Sequence, residues 1–345
     1  MVRLARSEVI DPNEVTIAHV INRTVRRCFL FGDDPISGKN FDHRKAWIEG
    51  LLKHFAAHFG IDLLCYSILS NHYHLILRTR PDIVSSWDDT EIARRWLKIC
   101  PRRKINGKPG EPSISELDSI RNCPEKVAEI RSRLSSISWW MRLLNQRVAQ
   151  RANKEDDESG RFWQDRYRAI RLIDEESLVA CAAYVELNPI RAGIADTLEQ
   201  SDHTSIQCRI ASEVETRSAG ERRDAFLAKL TLDDTNPFTP VSQSETGLRC
   251  SDKGFLPIST SHYFELLDWT VRQLAIGKKI ATPRSTPSIL HRLGLTPSNW
   301  QSLVTQFSDC FCHIAGKADR VETMRSHRTK SRFNMRQCSR QLMGS

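Results

Sequence analysis

The sequence predicts a fold of mixed strands and helices, because apolar residues follow strand spacing and helix spacing in turn. Residues 17–31 are rich in β-branched side chains, which favours a strand. Residues 41–59 carry apolar side chains at helical spacing. Two apolar runs, 61–69 and 72–78, follow with a Ser-Asn pair between them that is typical of a tight turn. The predicted order is strand, helix, strand, strand.

The second part of this region predicts further helices and one more strand. Helical patterns cover residues 83–100 and 127–149, with a stretch rich in proline and charge between them. Residues 161–173 interleave aromatic and basic side chains, and their second half alternates like a strand. Asp174 is a suitable N-cap for the helix that follows, and Pro189 ends that helix.

Composition favours a soluble globular protein with a polyanionic partner. The chain has 345 residues, of which 40% are hydrophobic and 27% charged, and its net charge is +9. No apolar run approaches the roughly 18 residues that span a bilayer, so no membrane partner is expected. The N-terminus lacks the apolar core of a signal peptide, which predicts a cytoplasmic protein. The ten cysteines are expected to be reduced thiols.

A pair of histidines and a distant tyrosine carry the candidate chemistry. His72 and His74 have strand spacing, so both side chains point to one face. Tyr184 and Asn188 are four residues apart on a predicted helix and share a face. Imidazole and amide oxygen donors together suit Mg²⁺ or Mn²⁺, and imidazole favours Mn²⁺. Tyr184 would then attack a phosphorus atom. The alternatives are a hydrogen-bonded histidine pair and a tyrosine of the core.

The interleaved segment is the best local candidate for contact with nucleic acid. Arginines bind phosphates, and aromatic faces stack on unpaired bases. The alternative is a strand whose tryptophan lies in the core and whose arginines face water. The predicted nucleic-acid contacts are Arg23, Arg78, Arg161, Trp163, Arg166, Tyr167, Arg168 and Arg191.

Three motifs in a fixed order resemble a known family. Residues 71–77 (NHYHLIL), 163–167 (WQDRY) and 184–193 (YVELNPIRAG) resemble the IS200/IS605-like single-tyrosine (Y1) transposases of the HUH superfamily. The likeness is greatest to the branch associated with repetitive extragenic palindromes (REP). Residues 19–23 are similar to the first strand of that family, and the resemblance covers about residues 15–200.

The resemblance implies an α+β fold, with a ferredoxin-like antiparallel sheet and helices on one face. By position, His72 and His74 correspond to metal ligands, Asn188 to a polar third ligand and Tyr184 to the nucleophile. The family uses a divalent metal to cut single-stranded DNA near hairpins, leaving a 5′-phosphotyrosine and a free 3′-OH, and then transfers the strand. The implied partner is single-stranded DNA that forms a hairpin or palindrome. The resemblance leaves a homodimer open and implies a location in a prokaryotic cytoplasm or nucleoid.

The resemblance also divides the chain. Residues 1–200 are expected to form a Y1 transposase-like HUH nuclease domain, with an insertion near residues 101–136. Residues 201–345 are expected to form a mainly helical C-terminal extension with a basic tail. Two other functions stay open. One is a site-specific single-strand endonuclease without transposition, and the other is a catalytically silent protein that binds DNA hairpins.

Overall fold

Strands and helices alternate along the chain in the computed structural model, which describes residues 9–25, 28–105, 108–215, 222–234, 236–275, 286–326 and 342–343. The strands are β1 (Ile17–Arg23), β2 (Ile61–Ile68), β3 (His72–Thr79), β4 (Lys104–Ile105), β5 (Lys108–Pro109), β6 (Arg168–Leu172) and β7 (Ile314–Ala315). The helices are α1 (His43–His58), α2 (Pro81–Ser86), α3 (Asp89–Ile99), α4 (Ile114–Arg121), α5 (Pro124–Leu134), α6 (Ile137–Asp156), α7 (Glu175–Glu186), α8 (Asn188–Arg191), α9 (Ser205–Glu215), α10 (Thr260–Ala275), α11 (Ser288–Arg292), α12 (Pro297–Cys310) and α13 (Ala318–Ser326).

Five strands form the main sheet, in the order β2-β3-β1-β6-β7. The first four strands pair antiparallel, and β7 runs parallel to β6 at the edge. Strands β4 and β5 form a separate two-stranded ribbon. The predicted order of strand, helix, strand, strand is confirmed, as is the mixed α+β class.

Helices pack on both faces of the sheet. Ala18, Val20 and Leu75 lie in one apolar core with residues of α1, α3 and α6. Ile76 and Ile170 lie in the other core, with residues of α7, α10 and α12. The expectation of helices on one face is therefore wrong. The central strands are apolar on both sides, and such a strand needs a packed layer on each face.

Helix α7 begins where the sequence predicts, but it ends at Glu186, so Asn188 lies outside the helix that carries Tyr184. The Asp174 carboxylate accepts a hydrogen bond from the Ser177 backbone N–H at 2.9 Å, which satisfies an N–H that the helix leaves unpaired. The Ser177 side chain completes a capping box with the Asp174 backbone. Pro189 lies in the first turn of the short helix α8, which follows α7 after Leu187.

Several predicted boundaries differ from the structure. The strand predicted over residues 17–31 ends at Arg23. Each of the two long helical patterns divides into two helices, α2 and α3 in one case and α5 and α6 in the other. Trp87 and Asp88 separate the first pair, and Ser135 and Ser136 separate the second. Short breaks of this kind preserve the apolar spacing, so periodicity does not reveal them.

The region after residue 200 contains the helices α9 to α13. The sequence also predicts a helix near residues 222–230, but those residues form turns, and α9, which the sequence does not predict, precedes them. The predicted basic tail beyond residue 326 lies outside the described residues, except for 342–343.

This later region completes the core on the α7 side of the sheet. Helix α12 packs on α7, and β7 extends the sheet beside β6. At the end of α7 the buried Glu186 carboxylate accepts hydrogen bonds from the hydroxyls of Ser205 at 2.6 Å and Tyr263 at 2.5 Å. A buried carboxylate needs such partners, so this cluster ties α9 and α10 to α7. No helix among the described residues is long and apolar enough to cross a membrane.

Arg78 is an internal anchor, which corrects its prediction as a contact for nucleic acid. Its side chain is fully buried, and its Nε donates to the Asp62 carboxylate at 2.8 Å. Its other nitrogens donate to the carbonyls of Lys253 at 2.7 Å and Gly254 at 2.8 Å. Ser251 also donates to Asp62. Arg78 therefore holds the loop around residues 251–254 against β2 and β3.

We expect Arg78→Ala to lower the free energy of unfolding by about 3–5 kcal/mol, because it leaves the Asp62 charge buried without its partner. Arg94→Ala is the control, since Arg94 forms an exposed pair with Glu91. Removing an exposed pair should cost no more than about 1 kcal/mol. Chemical denaturation of both variants measures the difference. Equal losses for the two variants would contradict the anchoring role.

Candidate active site

Two histidines of β3 face helix α7. The His74 ring contacts the tyrosine of α7, whereas Tyr73 lies in the core on the other side of the sheet. The antiparallel register places Arg23 of β1 opposite His72, and Ile21 opposite His74. The shared face that strand spacing predicts for His72 and His74 is therefore present.

A third histidine, His19 of β1, lies next to the pair. Its Nε2 is 2.9 Å from Nδ1 of His74, and the two rings stack with centroids 5.1 Å apart. The rings of His72 and His74 are also 5.1 Å apart. Three imidazoles thus form a row across β3 and β1. His19 is not among the site residues predicted from the sequence. It lies on the same face of β1 as Arg23, and this shared face is the sequence feature that could have identified it.

Burial keeps these imidazoles uncharged at neutral pH. Burial, with the nearby cations of Arg168 and Arg191, lowers the pKa of His19 to about 3. Burial and the Arg23 cation lower the pKa of His72 to about 3 as well. The pKa of His74 is lowered well below its usual value, mainly by burial. Neutral imidazoles can offer lone pairs to an electrophile or a metal ion.

The hydrogen bonds of His72 and His74 leave one ring nitrogen of each available. Nδ1 of His72 lies 2.6 Å from the amide oxygen of Asn71, which can only accept, so Nδ1 carries the proton and Nε2 the lone pair. Nε2 of His74 is buried without a hydrogen-bond partner. When Nδ1 of His74 donates to His19, its Nε2 also carries a lone pair.

Tyr184 lies against this row of histidines. Its ring centroid is 5.4 Å from that of His74 and 5.8 Å from that of His19, with the rings edge to face in both cases. The side chain is 8% exposed. Its hydroxyl accepts a hydrogen bond from the Ser308 hydroxyl at 2.9 Å. Residues more than a hundred positions apart in the sequence thus meet at one place.

Arg191 links Tyr184 to Asn188. Its guanidinium lies 4.1 Å from the centre of the Tyr184 ring, which is a cation–π distance. It also donates to Oδ1 of Asn188 at 2.7 Å. Nδ2 of Asn188 is buried without a hydrogen-bond partner. Arg191 therefore contacts both side chains and connects Asn188 to Tyr184.

The residues present fit a divalent metal in part. Two imidazole nitrogens are available, and Asn71 orients His72 as an outer partner orients a metal ligand. Among the described residues, however, no three His, Cys, Asp or Glu side chains are grouped so that they could hold a metal ion. The oxygen of Asn188, the predicted third ligand, already accepts from Arg191. The metal and the ligand role of Asn188 stay predictions.

Helix α12 covers the tyrosine. Phe307 packs against Tyr184 and His19, with ring centroids 5.8 Å and 6.1 Å away. The helix kinks at Gln306, whose φ of −125° and ψ of 19° are not helical. Arg191 donates to the carbonyls of residues 304 and 305 just before the kink, at 2.9 Å and 2.8 Å. Under this cover the Tyr184 side chain keeps 8% of its surface exposed.

The other predicted nucleic-acid contacts differ in their accessibility. Arg161 and Arg166 are exposed. Arg168 is exposed too, but it donates to the carbonyls of Ser308 at 2.6 Å and Phe311 at 2.7 Å, and so holds α12. The more enclosed members are Arg23, Trp163 and Arg191, which are half-buried, and Tyr167 and Arg78, which are buried.

Comparisons with known proteins give one distant structural match. No family model matches the chain, and no curated protein matches it. A solved structure described as "Structure of the REP associates tyrosine transposase bound to a REP hairpin" aligns with a TM-score of 0.35 and 9% sequence identity. The alignment covers 62% of this chain and 87% of that chain. Similarity of this degree does not establish a shared activity.

The buried neutral histidines predict a loss of stability in acid. Between pH 6.5 and about 3 the unfolded chain binds protons that the folded His19 does not, so stability falls as pH falls, by up to about 1.4 kcal/mol per pH unit for each such group. His19→Gln should make this dependence shallower in denaturation measurements between pH 7 and pH 4.5. The control is His262→Gln, a change at an exposed histidine. A wild-type slope in His19→Gln would show that His19 is not held neutral.

Proposed function

We propose that this chain is a transposase that cuts and rejoins single-stranded DNA through Tyr184. The observation that supports this most is the contact of the Tyr184 ring with the paired imidazoles of His74 and His19, beside the Arg191 guanidinium. A tyrosine hydroxyl, neutral imidazoles and a cation are the groups needed for attack on a phosphodiester.

In the first step Oη of Tyr184 attacks the phosphorus of a DNA phosphodiester. The new bond joins Oη to phosphorus, the bond from phosphorus to the 3′-oxygen breaks, and the phenol proton is lost to solvent as the 3′-oxygen gains one. The products are a 5′-phosphotyrosine ester and a free 3′-OH. A 3′-OH from a second strand can then attack the same phosphorus and release the tyrosine. The ester stores the broken bond, so joining needs no ATP.

A divalent ion, Mg²⁺ or Mn²⁺, would be held by Nε2 of His72 and of His74, with Asn188 as the proposed third ligand. Imidazole donors favour Mn²⁺. Such an ion supplies Lewis acidity at a phosphate oxygen. Arg191 would orient Tyr184 through its contact with the ring, and Asn71 would fix the tautomer of His72.

The proposed arrangement of the core is ferredoxin-like. The order β2-β3-β1-β6, the antiparallel pairing and the helices α1 and α6 on one face support this assignment. Helix α7, which follows the last of these strands, would then carry the nucleophile on the other face. The proposed substrate is a single strand beside a hairpin, and a homodimer stays a prediction.

The second candidate is a catalytically silent protein that binds DNA hairpins. The packing of α12 over Tyr184 favours it. The Ser308 hydroxyl donates a hydrogen bond to the Tyr184 hydroxyl, and Arg168 and Arg191 donate to carbonyls of α12. A protein that only binds DNA has no need to uncover a nucleophile. A site-specific endonuclease without transposition differs from the transposase only in the second step.

The decisive test incubates the full chain with a labelled single-stranded hairpin and Mn²⁺. The wild type should form a protein–DNA adduct that survives denaturant. Tyr184→Phe should abolish the adduct, because the attacking oxygen is gone. Tyr66→Phe is the control, since Tyr66 is also buried and hydrogen-bonded but lies away from the histidines. Adding a second strand should give joined product.

An adduct that persists in Tyr184→Phe would exclude Tyr184 as the nucleophile. Binding without any adduct in Mg²⁺ or Mn²⁺ would favour the silent binder. Adduct without joined product would favour the endonuclease.

A further inference from the structure

A cavity of about 480 Å³ opens on the face of the sheet opposite the histidines. We call it the tryptophan cavity. The residues that line it are Asn22, Ser138, Trp139, Arg142, Asn145, Trp163, Asp165, Arg166 and Tyr167. Asn22 precedes Arg23 in β1, and consecutive strand residues point to opposite faces. The cavity and the histidine row therefore lie on either side of one end of β1.

The aromatic walls of this cavity are held in place. Nε1 of Trp163 donates to the carbonyl of Asn145 at 2.9 Å, and the Trp163 ring meets Tyr73 edge to face at 5.5 Å. Trp139 meets Trp96 edge to face at 5.8 Å. Aromatic walls fixed before binding lose little entropy when a flat ring stacks on them.

Charge and hydrogen bonding add to these walls. The Arg142 guanidinium lies 4.7 Å from the Trp139 ring, and Arg166 is exposed at the rim. Asn22 also lines the cavity and is 4% exposed, so its amide adds a polar group beside the aromatic walls.

We propose that the tryptophan cavity binds one unpaired nucleobase of the DNA strand that reaches Tyr184, a proposal that rests on the proposed function. The base stacks against the indole walls of Trp139 and Trp163. Arg142 and Arg166 contact the adjoining phosphates. Two guanidiniums beside flat aromatic walls match a nucleotide, which carries both a ring and an anion. The strand passes around the end of β1 between the two faces.

The test is a scan of abasic sites along a labelled single-stranded hairpin, with binding of the full chain measured by fluorescence anisotropy without added metal. One abasic position should weaken binding about tenfold, the loss typical of one stacked base. Trp139→Ala should weaken binding of the intact strand by a similar factor. At that abasic position the same variant should cause little further loss, because the two changes remove one interaction.

Two further variants exclude a general effect on folding or charge. Trp139→Phe keeps a stacking ring and should restore most of the affinity that Trp139→Ala loses. Arg142→Ala should weaken binding more than Arg151→Ala. Both arginines are exposed on α6 and stack on a tryptophan, but only Arg142 lines the cavity.

The proposal is overturned if no abasic position weakens binding or if the protein binds no single-stranded DNA. It is also overturned if the fold-losses in affinity from the abasic site and from Trp139→Ala multiply when the two changes are combined, because the two changes would then act independently. Tyr184→Phe should give the same scan as the wild type, since stacking does not need the nucleophile. A positive scan without any covalent adduct would support the cavity while refuting the proposed chemistry. A covalent adduct without any abasic position that weakens binding would support the proposed chemistry and refute base binding in the cavity.

Discussion

Helix α7 must be buried on all sides, and the arrangement around it follows from that constraint. Each residue from Ser177 to Glu186 is buried, so the helix has no face for water. A helix that is apolar all round needs packing on every side. The sheet covers one side, and α10 and α12 cover the other. Alanines at 180, 182 and 183 permit the close approach of these layers.

The burial of α7 explains why Tyr184 lies against the histidines and why α12 packs over it. Tyr184 points from α7 toward the histidines, and α12, which completes the core over α7, also covers the tyrosine. The guanidiniums that would hold phosphates donate instead to the carbonyls of α12. Those carbonyls occupy the donors that phosphate oxygens would use. Under the proposed function, a phosphate would replace these carbonyls as the acceptor for Arg168 and Arg191.

Local signals in the sequence were sufficient for the elements that carry the site. Strand alternation predicted the shared face of His72 and His74, and the Asp174 cap predicted the start of α7. These features depend on residues close in sequence, where spacing and capping follow simple rules. The approach of Tyr184 to the histidine pair was expected from the family resemblance, and the ring distances agree with it.

The interactions that sequence could not reveal are those between distant segments. Arg78 lies on a strand like any candidate contact, and only its burial beside Asp62 shows that it is an anchor. Ser308 and the rest of α12 reach Tyr184 across more than a hundred residues, and no local pattern predicts that contact. The pairing of His19 with His74 depends on the register of β1 against β3, which local sequence patterns do not reveal.

The central claim is that His72 and His74 hold a divalent ion beside Tyr184. Anomalous diffraction at the manganese edge, from crystals of the full chain equilibrated with Mn²⁺, tests it directly. The account predicts one strong peak within bonding distance of Nε2 of both histidines, on the side that faces Tyr184. Manganese bound elsewhere, or no peak between the two imidazoles, would contradict it.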